Sequence, residues 1–447
     1  MGKPLNVYDM ASKGVNTTKS PIHLEDGELR EAQNFQTDPA LADGAIRRRD
    51  ALQKLNSSAL AGTVQGFIAL PHPDEFTVTR TFYAPIDNAA GNTNTWRTST
   101  NGSSWATITT STLRRAAQTT HSNGVAGIFS TSIRGTTPWV QLDHKIYFPG
   151  DDYTSSEDGG TVTLPTLYSW DGTTETKLLT IPRNPNSIID SQAIVSIVPY
   201  SADELLISTH EYDGTAVHTR VLLYSLTTGE LTQLGPETDL RGSVIALIVY
   251  QGRIWICPTN FIIGATVNVS WVRPGDAAWT TDVALPAAAI GGVSMVEFLG
   301  DLYLGTHSSA ATDASVRKRA AATTAWTEVL LLNGSGTGQY VGPFIKTADN
   351  LTLLAYFNNA DGTAPLQRIV KTTDGTSWST DLDIVADLGA GYGVSGTPFL
   401  DSDGSIYWPL RKSDNTGFIK KRTSAGTWST VDTINDLRGP LLALKTV

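Results

Sequence analysis

The stretch that decides the fold is Lys371–Thr380, which reads KTTDGTSWST. It combines a polar Asp-Gly turn with a tryptophan that opens a short segment of β-branched and small residues. Similar stretches surround Trp105, Trp279, Trp326 and Trp428, and the series from Trp279 through Trp378 to Trp428 advances in steps of 47 to 52 residues. So regular an interval indicates an internal repeat of about 50 residues.

Two further stretches keep the hairpin but lack the tryptophan at that place: LYSWDGTTETKLL from Leu167 and LYSLTTGELTQLG from Leu223. A strand rich in aromatic and branched residues precedes the hairpins, and another apolar stretch precedes that strand. The strands in question are KIYFPG from Lys145, ELLISTH from Glu204, RIWICP from Arg253, DLYLGTH from Asp301, LTLLAYF from Leu351 and SIYWPLR from Ser405. Each repeat therefore predicts four short strands joined by tight turns.

A four-stranded sheet of this size cannot bury both of its faces alone, but stacked sheets cover one another. We therefore predict an all-β chain that forms a single β-propeller of about seven four-stranded blades, with an N-terminal extended arm over residues 1–62. The predicted blades are 63–112, 123–180, 190–235, 242–284, 290–332, 338–384 and 394–434, followed by a C-terminal closing strand over 439–447. Apolar segments at 45–55 and 441–447 are left over, so an eighth or shared blade stays open.

Composition limits the function classes. The 447 residues carry a net charge of −10, which argues against specific nucleic-acid binding. No apolar run approaches the roughly 18 residues that would suggest a membrane span. The N-terminal residues lack the apolar stretch of a signal peptide. The single cysteine, Cys257, lies in an apolar run and is expected to be a buried hydrophobic residue.

Catalytic and metal-binding signals are weak. The sequence therefore predicts that the protein binds no cofactor or metal and is not an enzyme. No pair of the seven histidines has the spacing of a metal site. His210 and His307 both end second strands two repeats apart, which suggests either a pair of site residues or two equivalent polar positions. Asp401 and Asp403 lie in DSDGS, which resembles the start of a calcium loop but lacks its later acid, so we interpret it as a tight turn.

Two other sets of residues would suit a binding face. Asp151, Asp152, Glu157 and Asp158 lie in one acidic insertion, which suits a cation, a sugar or simply a solvated surface. Tyr153, Tyr212 and Asp213 would be candidates if the ring bound a carbohydrate.

The turns at Asn101 and Asp374 resemble the Asp boxes of sialidase-type propellers, although each is one residue short. In those enzymes the box is structural and does not carry catalysis. The resemblance would also require a local cluster of arginines, whereas Arg80, Arg253, Arg411 and Arg422 are scattered along the chain. A sialidase-like glycoside hydrolase is therefore the minor alternative.

Residues 13–55 form the most distinctive segment. It contains Gly-Val-Asn-Thr, then Ser-Pro, then Leu-Glu-Asp-Gly-Glu, a later asparagine, and finally Gly-Ala-Ile followed by three arginines. It reads as an extended arm, an Asp-Gly turn, a short helix over GELREAQNF and a strand. The arm is too polar to form a core of its own.

This pattern resembles the opening of a group of tailed-bacteriophage virion proteins that continue into a propeller. It departs from that group where Asp50 follows the arginines in place of a glycine. The resemblance implies a non-enzymatic structural protein of the tail or neck, a nozzle- or hub-like ring assembled in the host cytoplasm. A receptor- or carbohydrate-binding propeller at the tail tip is the alternative. The arm residues expected to contact other virion proteins are Asn16, Pro21, Leu24, Asp26, Glu28, Arg47, Arg48 and Arg49.

Overall fold

The structure is a computed structural model, and part of the chain is described in it. The described residues are 36–37, 46–47, 80–87, 94–99, 106–111, 138–142, 145–152, 164–182, 191–212, 217–236, 242–259, 267–286, 289–308, 314–332, 339–359, 366–394, 397–401, 403–412, 417–434 and 442–445. The chain divides into two compact units, residues 1–79 with residue 447, and residues 80–446. In the first unit, Gln36–Thr37 pairs antiparallel with Ile46–Arg47.

In the second unit, the strands pair antiparallel in groups of four that follow the chain. We name the groups A to G in chain order. Group A contains Arg80–Asp87, Asn94–Ser99, Ala106–Ser111 and the C-terminal strand Leu442–Lys445. Group B contains Val140–Leu142, Lys145–Asp152, Leu164–Trp170 and Glu175–Thr180. Group C contains Ser191–Pro199, Glu204–Tyr212, Val221–Ser225 and Leu231–Gln233, with the short strand Val217–His218 beside its second strand.

The remaining groups repeat this order. Group D contains Ser243–Tyr250, Arg253–Thr259, Asn268–Val272 and Thr280–Ala284, and group E contains Ala289–Phe298, Asp301–Ser308, Ala314–Arg319 and Trp326–Leu332. Group F contains Gln339–Lys346, Leu353–Asn359, Leu366–Thr372 and Ser379–Asp383. Group G contains Ile406–Lys412, Gly417–Arg422 and Trp428–Ile434, and its first position is shared by Tyr392–Val394 and Phe399–Leu400.

Group A is assembled from both ends of the second unit. Arg80 lies opposite Lys445 and Tyr83 lies opposite Leu442, so the C-terminal strand occupies the place beside Arg80–Asp87. The sequence assigned an apolar stretch within 63–75 to that place, and those residues lie outside the described ones. By pairing with Arg80–Asp87, the C-terminal strand covers a strand edge of group A that would otherwise present unpaired backbone groups.

Groups D, E and F are joined by pairing between the second strand of one group and the first strand of the next. Thr259 lies opposite Gly291, and His307 lies opposite Tyr340, so the twelve strands of these groups form one continuous sheet. A side chain at Gly291 would collide with the backbone of Thr259, so glycine permits this close approach.

The apolar cores lie between consecutive groups. One cluster joins Trp255 and Val269 of group D to Leu302 and Leu304 of group E. Other clusters join groups B and C, C and D, E and F, and F and G. Cys257 is fully buried in this core, and burial raises the pKa of its thiol to about 12, so it behaves as a hydrophobic residue.

One helix, Ile384–Leu388, connects groups F and G, where the sequence predicted no helix. Asp383 caps it by accepting a hydrogen bond from the N–H of Ala386. Among the described residues, no helix is long and apolar enough to cross a membrane. The prediction of an all-β fold of antiparallel sheets is confirmed.

Candidate functional site: polar contacts between neighbouring groups

A bulge interrupts the fourth strand of each of groups D to G at the same place. The residue left out of the strand register is Asp282, Val329, Asp381 or Val431, three residues after the tryptophan of its repeat. A bulge leaves one residue unpaired and re-aims its side chain. In groups D and F this side chain is an aspartate that bonds to the next group.

At the junction of groups D and E, Asp282 accepts three hydrogen bonds from group E. Arg319 Nε and Nη2 lie 2.9 and 3.3 Å from its two oxygens, and Trp326 Nε1 lies 2.6 Å away. Arg319 and Trp326 lie opposite each other in their strand pair. The Arg319 guanidinium also lies 4.6 Å from the ring centroid of Trp255 in group D. Through these bonds, Trp326 and Arg319 of group E bind to Asp282 of group D.

The junction of groups F and G repeats this arrangement. Asp381 accepts hydrogen bonds from Arg422 Nε at 2.7 Å and from Trp428 Nε1 at 2.8 Å. Lys371 Nζ lies 2.8 Å from the other carboxylate oxygen, and the Asp381 side chain is only 3 % exposed. Burial alone would raise the pKa of Asp381, but the bonds from Arg422, Lys371 and Trp428 outweigh it and lower the pKa.

At the junction of groups E and F, the bulge and the tryptophan occupy the same positions, but the bulge residue is apolar. The bulge residue is Val329, and Thr372 takes the place of the arginine beside Trp378. Val329 and Trp378 pack against one cluster with Phe344 and Val370. Trp378 Nε1 has no hydrogen-bond partner among the described residues. The tryptophan therefore needs no acid opposite it in order to pack.

A second set of polar contacts lies at the opposite ends of the strands. Glu211 is fully buried and pairs with Arg220 Nε at 2.6 Å, while Thr209 Oγ1 donates to the same carboxylate oxygen at 2.8 Å. Arg220 also donates to the carbonyl oxygen of Pro182, which follows group B, at 2.8 Å. This buried pair therefore bonds across the junction of groups B and C.

Neighbouring contacts at this end are also between groups. His210 Nδ1 is hydrogen-bonded to Ser243 Oγ, and Ser208 Oγ donates to the carbonyl oxygen of Val244 at 2.6 Å. At the F–G junction, Gln367 Oε1 accepts from the N–H groups of Gly391 and Tyr392 at 3.1 and 3.0 Å. These bonds satisfy polar groups whose burial without partners would be costly.

The structure separates the two histidines of the sequence prediction. His210 is 4 % exposed at the junction of groups C and D, whereas His307 lies in group E opposite Tyr340 of group F. Group D lies between them in the chain order. His210 bonds to group D through Ser243, and the backbone of His307 pairs with group F.

The acidic turns have local structural roles. Asp374 accepts from the N–H groups of Thr376 and Ser377 at 2.7 and 2.6 Å, and these bonds lower the pKa of its carboxyl. Asp403 accepts from the N–H of Ser405 at 2.8 Å and pairs with Lys421 at 3.3 Å, as in a tight turn. Among the described residues, no three His, Cys, Asp or Glu side chains are placed to hold a metal ion.

Several sequence-predicted residues lie outside the described ones or are described only as backbone. The arm residues Asn16, Pro21, Leu24, Asp26, Glu28, Arg48 and Arg49 lie outside, as do the helix predicted over GELREAQNF, Tyr153, Glu157, Asp158 and Asp213. The backbone is described for Arg47 in its two-residue strand, for Asp151 and Asp152 at the end of the second strand of group B, and for Tyr212. Of the scattered arginines, Arg80 and Arg411 lie within strands, and Arg422 is the partner of Asp381.

Sequence reasoning missed the junction residues, although the repeat contains their signal. An aspartate follows Trp279 and Trp378 by three residues, and an arginine precedes the next repeat's tryptophan by six or seven. The repeat with Val329 is followed by a repeat with Thr372 at the arginine's place. Reading the two positions together across adjacent repeats would have predicted the pairs Asp282–Arg319 and Asp381–Arg422.

Comparison with solved structures shows the same class of fold, a propeller-like β fold. The chain is similar to a candidate 6-phosphogluconolactonase from Bacteroides fragilis, with a TM-score of 0.51 and 12 % identity over 84 % of this chain and 99 % of that one. A protein from Lactobacillus plantarum matches with a TM-score of 0.50 and 13 % identity over 82 % and 99 % of the two chains. At such identities the likeness concerns the fold alone.

A sialidase from Trypanosoma rangeli matches less well, with a TM-score of 0.41 and 10 % identity over 67 % of this chain and 54 % of that one. This match carries no argument about the present chain. No protein-family model and no curated protein sequence matches the chain.

Proposed function

We propose that groups A to G are the seven blades of one closed propeller, preceded by an extended N-terminal arm over residues 1–62. The ladder between Arg80–Asp87 and Leu442–Lys445 supports closure, because it pairs the first and last strands of the second unit. The bulges that recur in the fourth strands support a repeated blade. Closure of this kind leaves only short strand edges exposed.

We propose further that the protein is a non-enzymatic structural component of a tailed-phage virion, in the tail or neck, acting through protein–protein contacts. The observation that carries this proposal is the use of the buried charges. Asp381 and the largely buried Asp282 pair with arginines of the next group, and Glu211 pairs with Arg220, which bonds to Pro182 across a junction. In each case a cationic partner is an arginine that belongs to a junction, whereas a glycosidase would use two acids that face its substrate. The motif resemblance of residues 13–55 supports the virion assignment.

In this role the propeller is a rigid scaffold and the arm contacts other virion proteins. We expect a homo-oligomeric ring that surrounds or lines the DNA path, with no specific nucleic-acid binding and no membrane association. A net charge of −10 would reduce adhesion of DNA during ejection. We expect the arm contacts to be made by Asn16, Pro21, Leu24, Asp26, Glu28, Arg47, Arg48 and Arg49.

The test is the composition of purified virions from the phage whose genome encodes the chain. Quantitative mass spectrometry should find the protein in the particle at a fixed copy number, and six or twelve copies would indicate a ring on the tail axis. A chain encoded outside any phage genome, or missing from the particles, would contradict the proposal.

A second measurement separates the alternatives. The purified full-length chain is assayed on a glycan array, on a sialoside and on 6-phosphogluconolactone. We expect no turnover and no selective glycan binding. Selective binding would favour a receptor-binding propeller at the tail tip, and turnover of either substrate would favour an enzyme.

A further inference from the structure

Two arginines of group D differ from the other arginines in their partners. Among the seven arginines whose side chains the structure describes, five form ion pairs with carboxylates: Arg220, Arg317, Arg319, Arg368 and Arg422. Arg253 and Arg273 form no ion pair with any described carboxylate. The chain has ten more acidic than basic charges, so two guanidinium groups that pair with no acid in the described part of the chain require an explanation.

Both guanidinium groups are held on one aromatic ring. Arg253 Cζ lies 4.0 Å and Arg273 Cζ lies 5.5 Å from the ring centroid of Trp271. Trp255 lies opposite Trp271 and Ile254 opposite Val272, so Arg253 and Arg273 occupy the next cross-strand position. Like charges placed directly across a sheet repel each other, and Trp271 offsets this repulsion by attracting both cations.

The arginines are fixed in place but keep their hydrogen-bonding edges. A guanidinium that stacks through its face still presents N–H groups at its rim, in a geometry that matches a carboxylate. Asp276, the nearest acid along the chain, accepts the backbone N–H of Arg273 at 2.9 Å and so closes its own turn. The pair is therefore preorganised for an external oxyanion.

An exposed apolar residue lies in the turn of group E that Tyr250 contacts. Tyr250, three residues before Arg253, donates a hydrogen bond to the carbonyl oxygen of Gly300 at 2.7 Å, which brings in the turn of group E. Leu299 in that turn is 55 % exposed. Tryptophan and arginine are enriched in protein–protein hot spots, whereas a nucleic-acid surface needs a broad basic field.

We propose that Arg253, Trp271 and Arg273, together with Leu299 in the turn that Tyr250 contacts, form a docking surface for an acidic segment of a protein partner. Carboxylates of the partner would bind the two guanidinium rims, and an apolar side chain next to them would cover Leu299. The charge complementarity of an arginine pair and an acidic segment selects this partner. The proposal rests on the proposed function, in which the protein acts through contacts with other virion proteins.

The test uses the full-length protein and a fluorescent peptide with the sequence of residues 20–29, SPIHLEDGEL, which places three acids next to a leucine. Binding is followed by fluorescence anisotropy at fixed ionic strength. We expect Arg253→Gln with Arg273→Gln to raise the Kd at least tenfold, and Trp271→Leu, which keeps both charges, to raise it severalfold. Arg317→Gln, which removes an ion-paired surface arginine, is the matched control and should leave the Kd unchanged.

Three outcomes would overturn the proposal. They are no measurable binding at millimolar peptide, equal binding of the peptide whose acids are replaced by amides, and equal binding by the double arginine variant. Displacement of the peptide by inorganic phosphate or by duplex DNA, at matched ionic strength and at lower concentration than an unlabelled acidic peptide, would likewise overturn it, because the site would then prefer phosphate.

These results are distinguishable from a failure of the proposed function. A protein that binds the peptide through its arginines but is missing from virions leaves the docking surface intact and refutes the virion role. A protein that is present in virions but does not bind the peptide refutes the docking surface alone.

Discussion

The D–E and E–F junctions place a tryptophan in the same position and surround it with different chemistry. At the D–E junction, Trp326 and Arg319 donate to the bulge residue Asp282. At the E–F junction, Trp378 and the bulge residue Val329 pack against one apolar cluster, and the indole N–H of Trp378 has no acceptor among the described residues. The comparison shows that the bulge and the tryptophan set the geometry of a junction, whereas the residue at the bulge decides whether it is polar or apolar.

The largest expected effect comes from breaking the polar junction between groups F and G. Asp381→Ala leaves Arg422, whose side chain is 7 % exposed, without its buried partner. Removing one member of a buried ion pair costs about 3–5 kcal/mol, so we expect a loss of that order in the free energy of unfolding. Urea denaturation measures it.

The matched control is Glu328→Gln, which removes the partner of Arg317 in an exposed pair whose carboxylate is 36 % exposed. It should change the free energy of unfolding by less than about 1 kcal/mol. A loss of similar size in both variants would mean that burial of the Asp381 pair has no special role.

A smaller difference in stability loss is expected among the tryptophans of the three junctions. Trp326→Phe and Trp428→Phe each remove an N–H that donates to a charged carboxylate, at 2.6 and 2.8 Å. Hydrogen bonds to charged groups contribute about 1.5–3 kcal/mol, so these variants should lose that much more stability than Trp378→Phe, which loses packing alone. Equal losses at the three positions, measured by urea denaturation, would show that packing is the whole contribution.

A still smaller effect is expected from introducing an acid and an arginine at the E–F junction. Val329→Asp together with Thr372→Arg would recreate the acid and the arginine at the E–F junction. Each single variant should destabilise the protein, since Val329 packs in the core and Thr372 bonds to the N–H of Gly375. In a double-mutant cycle the pair should show a favourable coupling of at least about 1 kcal/mol. Strictly additive losses would show that the bulge geometry is not equivalent at the two junctions.

The smallest expected effect is a pH dependence of the polar junction. The pKa of Asp381 is lowered in the folded chain, so its contribution to stability is fully present above its unfolded pKa of about 3.9 and is lost as the pH falls through the folded value. The stability difference between wild type and Asp381→Ala should be constant from about pH 5 to 8 and shrink below about pH 4. Trp378→Phe, whose junction contains no such acid, should show a constant difference from wild type throughout. Denaturation at several pH values tests both.

Much of the strand order could be read from the sequence, because tight turns and β-branched strands are local signals. The sequence placed repeats at 190–235 and 242–284, and the strands of groups C and D span 191–233 and 243–284. The helix Ile384–Leu388 escaped prediction, because five residues carry too little periodicity. The start of group G at Tyr392, two residues before the predicted boundary, escaped it because that strand is only three residues long.

The candidate site was less predictable. The sequence drew attention to His210, Asp374 and Asp403 as polar residues near strand ends and turns. In the structure, His210 forms a buried hydrogen bond with Ser243, and Asp374 and Asp403 each accept a hydrogen bond from the backbone of their own turn. The hydrogen bonds between groups join residues far apart in the chain, 24 positions for Gln367 and Gly391 and 47 for Asp381 and Trp428, and no local pattern within one repeat shows which donor meets which acceptor.

The sequence by itself determined the repeat: the interval between tryptophans, the strands before them and the turns that join them. These follow from local propensity and from the need of each small sheet to cover its neighbour. The tertiary structure decided the geometry of the contacts across the junctions, whose signal appears in the sequence only when adjacent repeats are read together. Asp282 meets Arg319 because a bulge turns the aspartate out of its strand and stacking brings the next repeat against it. Arg253 and Arg273 share Trp271 because strand register, and not sequence distance, makes them neighbours.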